Sequence, residues 1–201
     1  MHRVFISFHH GKDRGYKDLL TAWNKREPVF IDLSVDTEDI SDELSDEQVR
    51  VKIRDEYLMD STVTILLAGV ETSTRKHVDW ELYSSMFDGA INKKSGIIVV
   101  LLPTTGCFRA TVSHKGEKED LFSEVEAWIE IRDRIGFEEL YPFLPARIID
   151  NLIAKSVQIT VVPWSKMFGY PAMLSRLIEN AFNDRESCEY DLSRPMRRAN
   201  S

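Results

Sequence analysis

Glu81 stands in the setting most suggestive of chemistry. It falls in Thr74-Arg75-Lys76-His77-Val78-Asp79-Trp80-Glu81-Leu82, soon after the run Val63-Thr64-Ile65-Leu66-Leu67-Ala68 that Gly69 ends. A β-branched, aliphatic run of that length reads as a strand covered on both faces. Thr72, Ser73 and Thr74 offer N-caps for a following helix. At about 100° per residue, Val78, Leu82 and Met86 share one apolar face, and Glu81 lies roughly 60° from Val78, on its margin. Open α/β sheets bind ligands just beyond the carboxyl ends of their strands, which is where this carboxylate falls.

A single carboxylate among hydroxyls and aromatic rings suits a reaction in which positive charge builds on a sugar. An N-glycosidic bond to a cationic pyridinium breaks through an oxocarbenium-like transition state. A carboxylate stabilises that state and orients a hydroxyl or water. Phe8 and Trp80 are candidates to stack on the base or exclude water. Phe8 reads equally well as core, and Trp80 as packing against a neighbouring subunit. A lone helical Glu is more often solvated than catalytic. His9-His10 reads as a solvated loop pair rather than a ligand pair, and Asp79 as a local cap or an i,i+4 partner of Arg75 worth about 0.2–0.5 kcal/mol.

The elements that must position these groups alternate along the chain. Short apolar runs at residues 4–8, 29–31, 63–67, 97–102 and 157–162 predict strands. Helical spacing predicts helices over residues 16–23, 48–59, from the Thr72–Thr74 caps to about 91, and 147–154, with a last helix that Pro171 opens. Residues 9–15 read as a polar turn, and residues 121–135 as a helix inserted between the fourth and fifth units. Alternating strands and helices imply a parallel sheet with right-handed crossovers. The fold class expected is α/β, a flavodoxin-like three-layer sandwich with a five-stranded parallel sheet in the order 2-1-3-4-5. Its crevice lies between the first and third strands, which gathers Ser7, Phe8, His9, Asp32, Ser34 and the Glu81 helix around one cleft. One domain over residues 1–183 is expected, with a loose polar tail over 184–201. The acid-rich stretch 36–47 reads as a solvated loop running into a helix N-terminus.

Composition narrows the function classes. A net charge of −7 argues against a general nucleic-acid partner, which would call for a basic face. No apolar run approaches the roughly 18–20 residues that span a bilayer, so no membrane role is expected. With a strand read from the first residues, no signal peptide is expected. Cys107 and Cys188 stand apart, consistent with a reduced compartment, and the expected location is the cytoplasm. Gly11-Lys12-Asp13 lacks phosphate-loop spacing, and neither a zinc-binding His-Glu-x-x-His helix nor a Gly-x-Ser-x-Gly elbow occurs. Ser7-Phe8-His9-His10 replaces the metal-binding acids of a receiver domain, and no metal site is expected.

Three stretches, Val4-Phe5-Ile6-Ser7-Phe8, Ser61-Thr62-Val63-Thr64-Ile65-Leu66-Leu67-Ala68-Gly69 and Thr74 to Leu82, resemble the TIR-like family of prokaryotic Thoeris anti-phage proteins, the ThsB type. Leu144 to Asn151 and Val162-Pro163-Trp164-Ser165 resemble its distal motifs. The resemblance implies a TIR fold and NAD as substrate, with no further cofactor. It implies nicotinamide release and an ADP-ribose-based signal, cyclic in the reading preferred here, made on phage infection to switch on a partner effector. It implies Glu81 as the catalytic carboxylate, Thr74 near the nicotinamide side, and Ser7 and Phe8 on the floor after the first strand. Asp32 to Ser34 would begin a loop that closes over the substrate as a lid. Self-association is implied as well, using residues 32–46 and exposed helix surfaces, with a phage component as trigger. His77 departs from the Trp usual in relatives. The competing class is a TIR-like interaction module without turnover, in which Glu81 is incidental.

Overall fold

The computed structural model describes residues 1–34, 43–90, 92–124, 130–154 and 156–200. Within them, β1 (Arg3–Phe8), β2 (Ile31–Asp32), β3 (Val63–Ala68), β4 (Gly96–Leu101) and β5 (Ile159–Pro163) form one parallel sheet. Its order is β2-β1-β3-β4-β5, the flavodoxin-like order expected, and β1 and β3 meet in the register Ser7 to Leu66 and Phe8 to Leu67. Every residue of β3 and β4 is buried, as near-continuous apolar runs require when helices cover both faces. Alternation divides the core. Val4, Ile6 and Phe8, with Ile65 and Leu67, pack beside Leu20 and Trp23 of α1 (His10–Arg26), Met167 of α7 (Trp164–Met167) and Leu177 of α8 (Pro171–Asp184). On the opposite face Leu66 and Ala68 meet Val78 and Leu82 of α3 (Lys76–Met86) and Ile148 of α6 (Ala146–Ile153). Gly96 lets α8 close on β4, since a Cβ there would stand 2.1 Å from the Ala181 carbonyl oxygen.

Several boundaries differ from expectation, each for a local reason. The β2 ladder starts at Ile31 rather than at 29, because Asn24 holds that stretch first. Its Oδ1 accepts from the Val29 and Phe30 N–H groups (2.8 and 3.1 Å), and its Nδ2 donates to the Phe30 carbonyl (2.9 Å). Helix α1 starts six residues early, at His10; the apolar period marks only its buried later turns, while Lys12 and Asp13 N–H groups already bond to the His9 carbonyl. The second helix, α2 (Asp46–Lys52), opens on a Ser45–Gln48 capping box and widens into a π-turn over Ile53–Tyr57, which keeps Ile53 and Leu58 both in the core. Helix α3 ends at Met86 because Phe87 is already extended. The inserted helix is divided into α4 (Glu117–Phe122) and α5 (Arg134–Leu140); Asp133, with extended backbone, caps α5 through the Gly136 N–H (2.8 Å) and so begins a new helix. Val125, Trp128 and Ile129 of the expected helix lie outside the described residues.

The largest correction concerns the tail. Residues 185–200 strap the helices together. Asn151 of α6 donates to the Asp191 carbonyl (3.1 Å) and accepts its N–H (2.8 Å). Arg147 donates to the carbonyls of Arg194 (3.0 Å) and Pro195 (3.2 Å), and Met196 is buried beside Phe5, Ile53 and Trp80. Past it, Asn200 Oδ1 accepts the Lys76 N–H at the start of α3 (2.9 Å). Cys188, Tyr190, Leu192 and Met196 anchor this otherwise polar segment in the core, and the backbone carbonyls between them accept from buried donors.

Candidate active site

Period-2 alternation turns Ser7 and Phe8 to opposite faces of β1. Ser7 points toward α3, and its hydroxyl donates to Glu81 Oε2 at 2.6 Å. Both are enclosed: Ser7 is 0% and Glu81 1% exposed. One turn on, Thr64 of β3 and Ser85 of α3 share a hydroxyl–hydroxyl bond of 2.8 Å. The face of α3 toward the sheet thus carries small hydroxyls, Ser84 and Ser85, beyond the apolar stripe. That lets the helix approach closely and draws Glu81 inside, so the carboxylate expected on the margin is buried. A buried carboxylate is retained where donors reach it, and Ser7 is one.

Asp32 and Ser34 are brought beside Ser7 through the backbone. Ser34 Oγ accepts the Ile6 N–H (3.0 Å), continuing the edge of β1, and Asp32 Oδ1 accepts both the N–H (2.9 Å) and the hydroxyl (2.5 Å) of Ser34. This holds the start of the expected lid; residues 35–42 of that loop lie outside the described residues. His9 is the N-cap residue of α1 rather than part of a loop, and His10 stacks on the Phe8 ring, 4.2 Å between centroids at 5°. Phe8 therefore belongs to the α1 side, away from Glu81. Thr74 closes the 3₁₀ turn Thr72–Thr74 by donating to the Glu71 carbonyl (2.7 Å).

The structure packs Trp80 inside the chain rather than beside the Ser7–Glu81 contact. It is 1% exposed among Phe5, Val49, Ile53, Leu58 and Met196, and its Nε1 donates to the Arg197 carbonyl (2.8 Å). Nor does it face a neighbouring subunit, since its own chain's strap covers it. His77 stands edge-on to it at 5.0 Å. Asp79 does not pair with Arg75, which bonds to Glu71 instead (2.7 Å). Asp79 takes Arg147 bidentately, at 2.9 and 3.1 Å, and the Arg197 N–H at 2.8 Å.

Sequence reasoning missed Asp13. It lies in the first turns of α1, 3% exposed, with its carboxylate resting on Gly69 just past β3. Burial, then the neighbouring Glu71 carboxylate, push its pKa up to about 6, against the hydrogen bond from the Thr72 side chain. Its one signal was an acid shortly after the first strand, read above only as a failed phosphate loop. Among the described residues no helix is long and apolar enough to cross a membrane, and no group of three His, Cys, Asp or Glu side chains is gathered to hold a metal ion.

The family model of the Thoeris protein ThsB, TIR-like domain, matches residues 5–106. The chain belongs to that family. Membership supports a role in anti-phage defence. The part common to this chain and the Thoeris ThsB TIR-like domain runs from β1 through β4, and so includes the Ser7–Glu81 pair, the Asp32–Ser34 turn and the Gly69–Thr74 connection. The later motifs around Leu144 and Val162, and the strap, lie beyond the matched residues. No curated protein matches the chain.

Proposed function

We propose that this Thoeris TIR-like protein cleaves the nicotinamide–ribose bond of NAD and turns the ADP-ribose part into a cyclic signal that activates a partner effector. The observation that carries the reading is the buried Ser7–Glu81 hydrogen bond at the switch point between β1 and β3. As the glycosidic bond breaks, its electron pair goes to the pyridinium nitrogen and nicotinamide leaves neutral. The ribosyl C1′ is left electron-poor, and Glu81 is the carboxylate that stabilises it, in a site where little water screens the charge. Ser7 holds the carboxylate in one orientation. A nucleophile within the ADP-ribose itself then captures C1′ and releases its proton to the Glu81 carboxylate or to solvent, giving the ring; capture by water, with loss of one proton in the same way, gives the linear product.

The enclosure of both residues means that substrate enters only when the crevice opens, and we assign that opening to self-association set off by a phage component. The direct test incubates purified protein with NAD, with and without phage lysate, and reads products by mass spectrometry beside a Glu81→Gln variant. Parent-only release of nicotinamide with an ADP-ribose-derived product is expected. Turnover by Glu81→Gln at the parental rate would remove Glu81 from the chemistry.

A second reading draws on the same burial. A carboxylate 1% exposed beside a serine serves equally well as a structural contact in an interaction module. Absence of any NAD product, with phage lysate present and the parent self-associated, would favour it.

A further inference from the structure

The junction between the first turns of α1 and the connection from β3 to α3 is more tightly made than the Ser7–Glu81 contact requires. The Asp13 carboxylate lies on Gly69, so that a Cβ there would come within 2.6 Å of either oxygen. The Thr72 side chain favours the ionised form of that carboxylate, while Thr72 Oγ1 accepts the Gly69 N–H at 2.8 Å. Thr72 is 0% exposed and opens the 3₁₀ turn, and its carbonyl accepts the N–H of Arg75, the N-cap residue of α3. Contacts therefore run from α1 through Asp13 to Gly69, and bonds run from Gly69 through Thr72 and Arg75 to the start of the Glu81 helix. Lys12 reaches Glu71 at 3.6 Å across the same junction. Asp13 Oδ2 is buried and finds no hydrogen-bond partner among the described residues. An unsatisfied buried group of this kind calls for an explanation.

We propose that Asp13 is a positioning residue: by joining α1 to Gly69 and Thr72, it sets where the Glu81 helix begins relative to the end of β1, and so holds the Ser7–Glu81 contact. The inference rests on the NAD reading for its kinetic test and on geometry alone for its structural one. With Asp13 ionised the carboxylate attracts the Thr72 side chain; protonation weakens that attraction and loosens the start of α3. The other charged groups at the junction are Glu71 with its partners Lys12 and Arg75, and the imidazoles of His9 and His10 at the head of α1.

The test compares Asp13→Asn, Asp13→Ala, Thr72→Val and Thr72→Ser with the parent, all full length, in kcat and KM for NAD across pH 5 to 8 and in hydrogen exchange over residues 70–82. Expected are a kcat at least tenfold lower in Asp13→Ala and Thr72→Val with KM within threefold, and near-parental kcat in Thr72→Ser. The parental kcat should fall as pH drops through about 6, while Asp13→Asn stays flat at the lowered level; an inflection that survives in Asp13→Asn belongs to the histidines or Glu71 and overturns the assignment. Should Asp13→Ala not fold, Asp13→Asn and the Thr72 pair carry the comparison. If the parent turns over NAD and the variants match it, the positioning role fails while the NAD reading stands. If the parent never acts on NAD, that reading fails, and the exchange data decide: faster exchange over residues 76–79 in Asp13→Ala and Thr72→Val supports the positioning role, and unchanged exchange overturns it.

Discussion

A carboxylate can look alike in sequence at the surface and in the core, and at the residue scale Glu81 and Asp13 show what separates the two. The position of Glu81 after β3 was legible from the strand–loop–helix pattern. Its burial was not, because it depends on Ser84 and Ser85 being small enough to bring α3 down onto Ser7. Neutralising it therefore has a stability cost that a marginal position would not. In Glu81→Gln the amide oxygen still accepts the Ser7 hydroxyl, but the NH₂ group needs an acceptor where the carboxylate needed donors. The expected loss is about 1–3 kcal/mol in urea unfolding, beside a fall in NAD turnover of about a hundredfold or more measured well below Tm. Asp13 gives the opposite sign. Its folded pKa is raised to about 6 from an ordinary value near 3.8. Below the ordinary value both states are protonated; between the two the fold keeps a proton the unfolded chain has released, and stability falls as pH rises. At roughly 1.4 kcal/mol per pH unit over that interval, the penalty above pH 6 reaches about 3 kcal/mol. Asp13→Asn should thus flatten the stability profile between pH 4 and 6 and raise the urea midpoint at pH 8; an unaltered slope would show that the carboxylate is not held protonated.

Elements were legible wherever apolar periodicity made them. The sheet order, the two-sided burial of β3 and β4, and the start of α8 at Pro171 all followed from runs and breakers in the sequence. The boundaries of β2 and α1 did not, since side chain–backbone bonds from Asn24 and the polar first turns of α1 decide them. The strap was illegible for a related reason: Cys188, Tyr190, Leu192 and Met196 fall at no helical or strand period among polar residues, and the carbonyls that complete its docking are ones every sequence possesses. Trp80 tests this at the scale of α3. Its indole was read as a candidate for the cleft, and the structure seats it under Met196 and the Arg197 carbonyl. Trp80→Phe removes one N–H donor and part of a buried ring, at a cost of about 2 kcal/mol. Hydrogen exchange should quicken over residues 194–198, while the KM for NAD changes less than threefold. A KM raised tenfold with exchange unchanged would return Trp80 to the cleft.

Across the whole molecule, the Asp79–Arg147 pair joins the matched half of the chain to the unmatched half. Arg147 on α6 is fully enclosed and reaches both Asp79 oxygens on α3 while donating to two strap carbonyls; Asp79 in turn accepts the strap's Arg197 N–H. Three segments far apart in sequence therefore share one charge pair. Removing one member of a buried pair leaves the other uncompensated and costs about 3–5 kcal/mol, whereas replacing both by apolar groups of similar volume is often near neutral. Arg147→Met and Asp79→Leu should each lower unfolding free energy by about that much. In an isolated pair the double variant would recover nearly all of it. Here it should recover only part, because the Arg194 and Pro195 carbonyls and the Arg197 N–H lose partners that neither Met nor Leu replaces, at about 1–3 kcal/mol for each group that stays buried. The shortfall, measured by a double-mutant cycle in urea, reports how much of the fold the strap supports. Hydrogen exchange in the double variant should be fastest over residues 191–200. Full recovery, with the strap still protected, would mean that Met196, Asn200 and the bonds from Asn151 and Trp80 hold the strap without the charge pair.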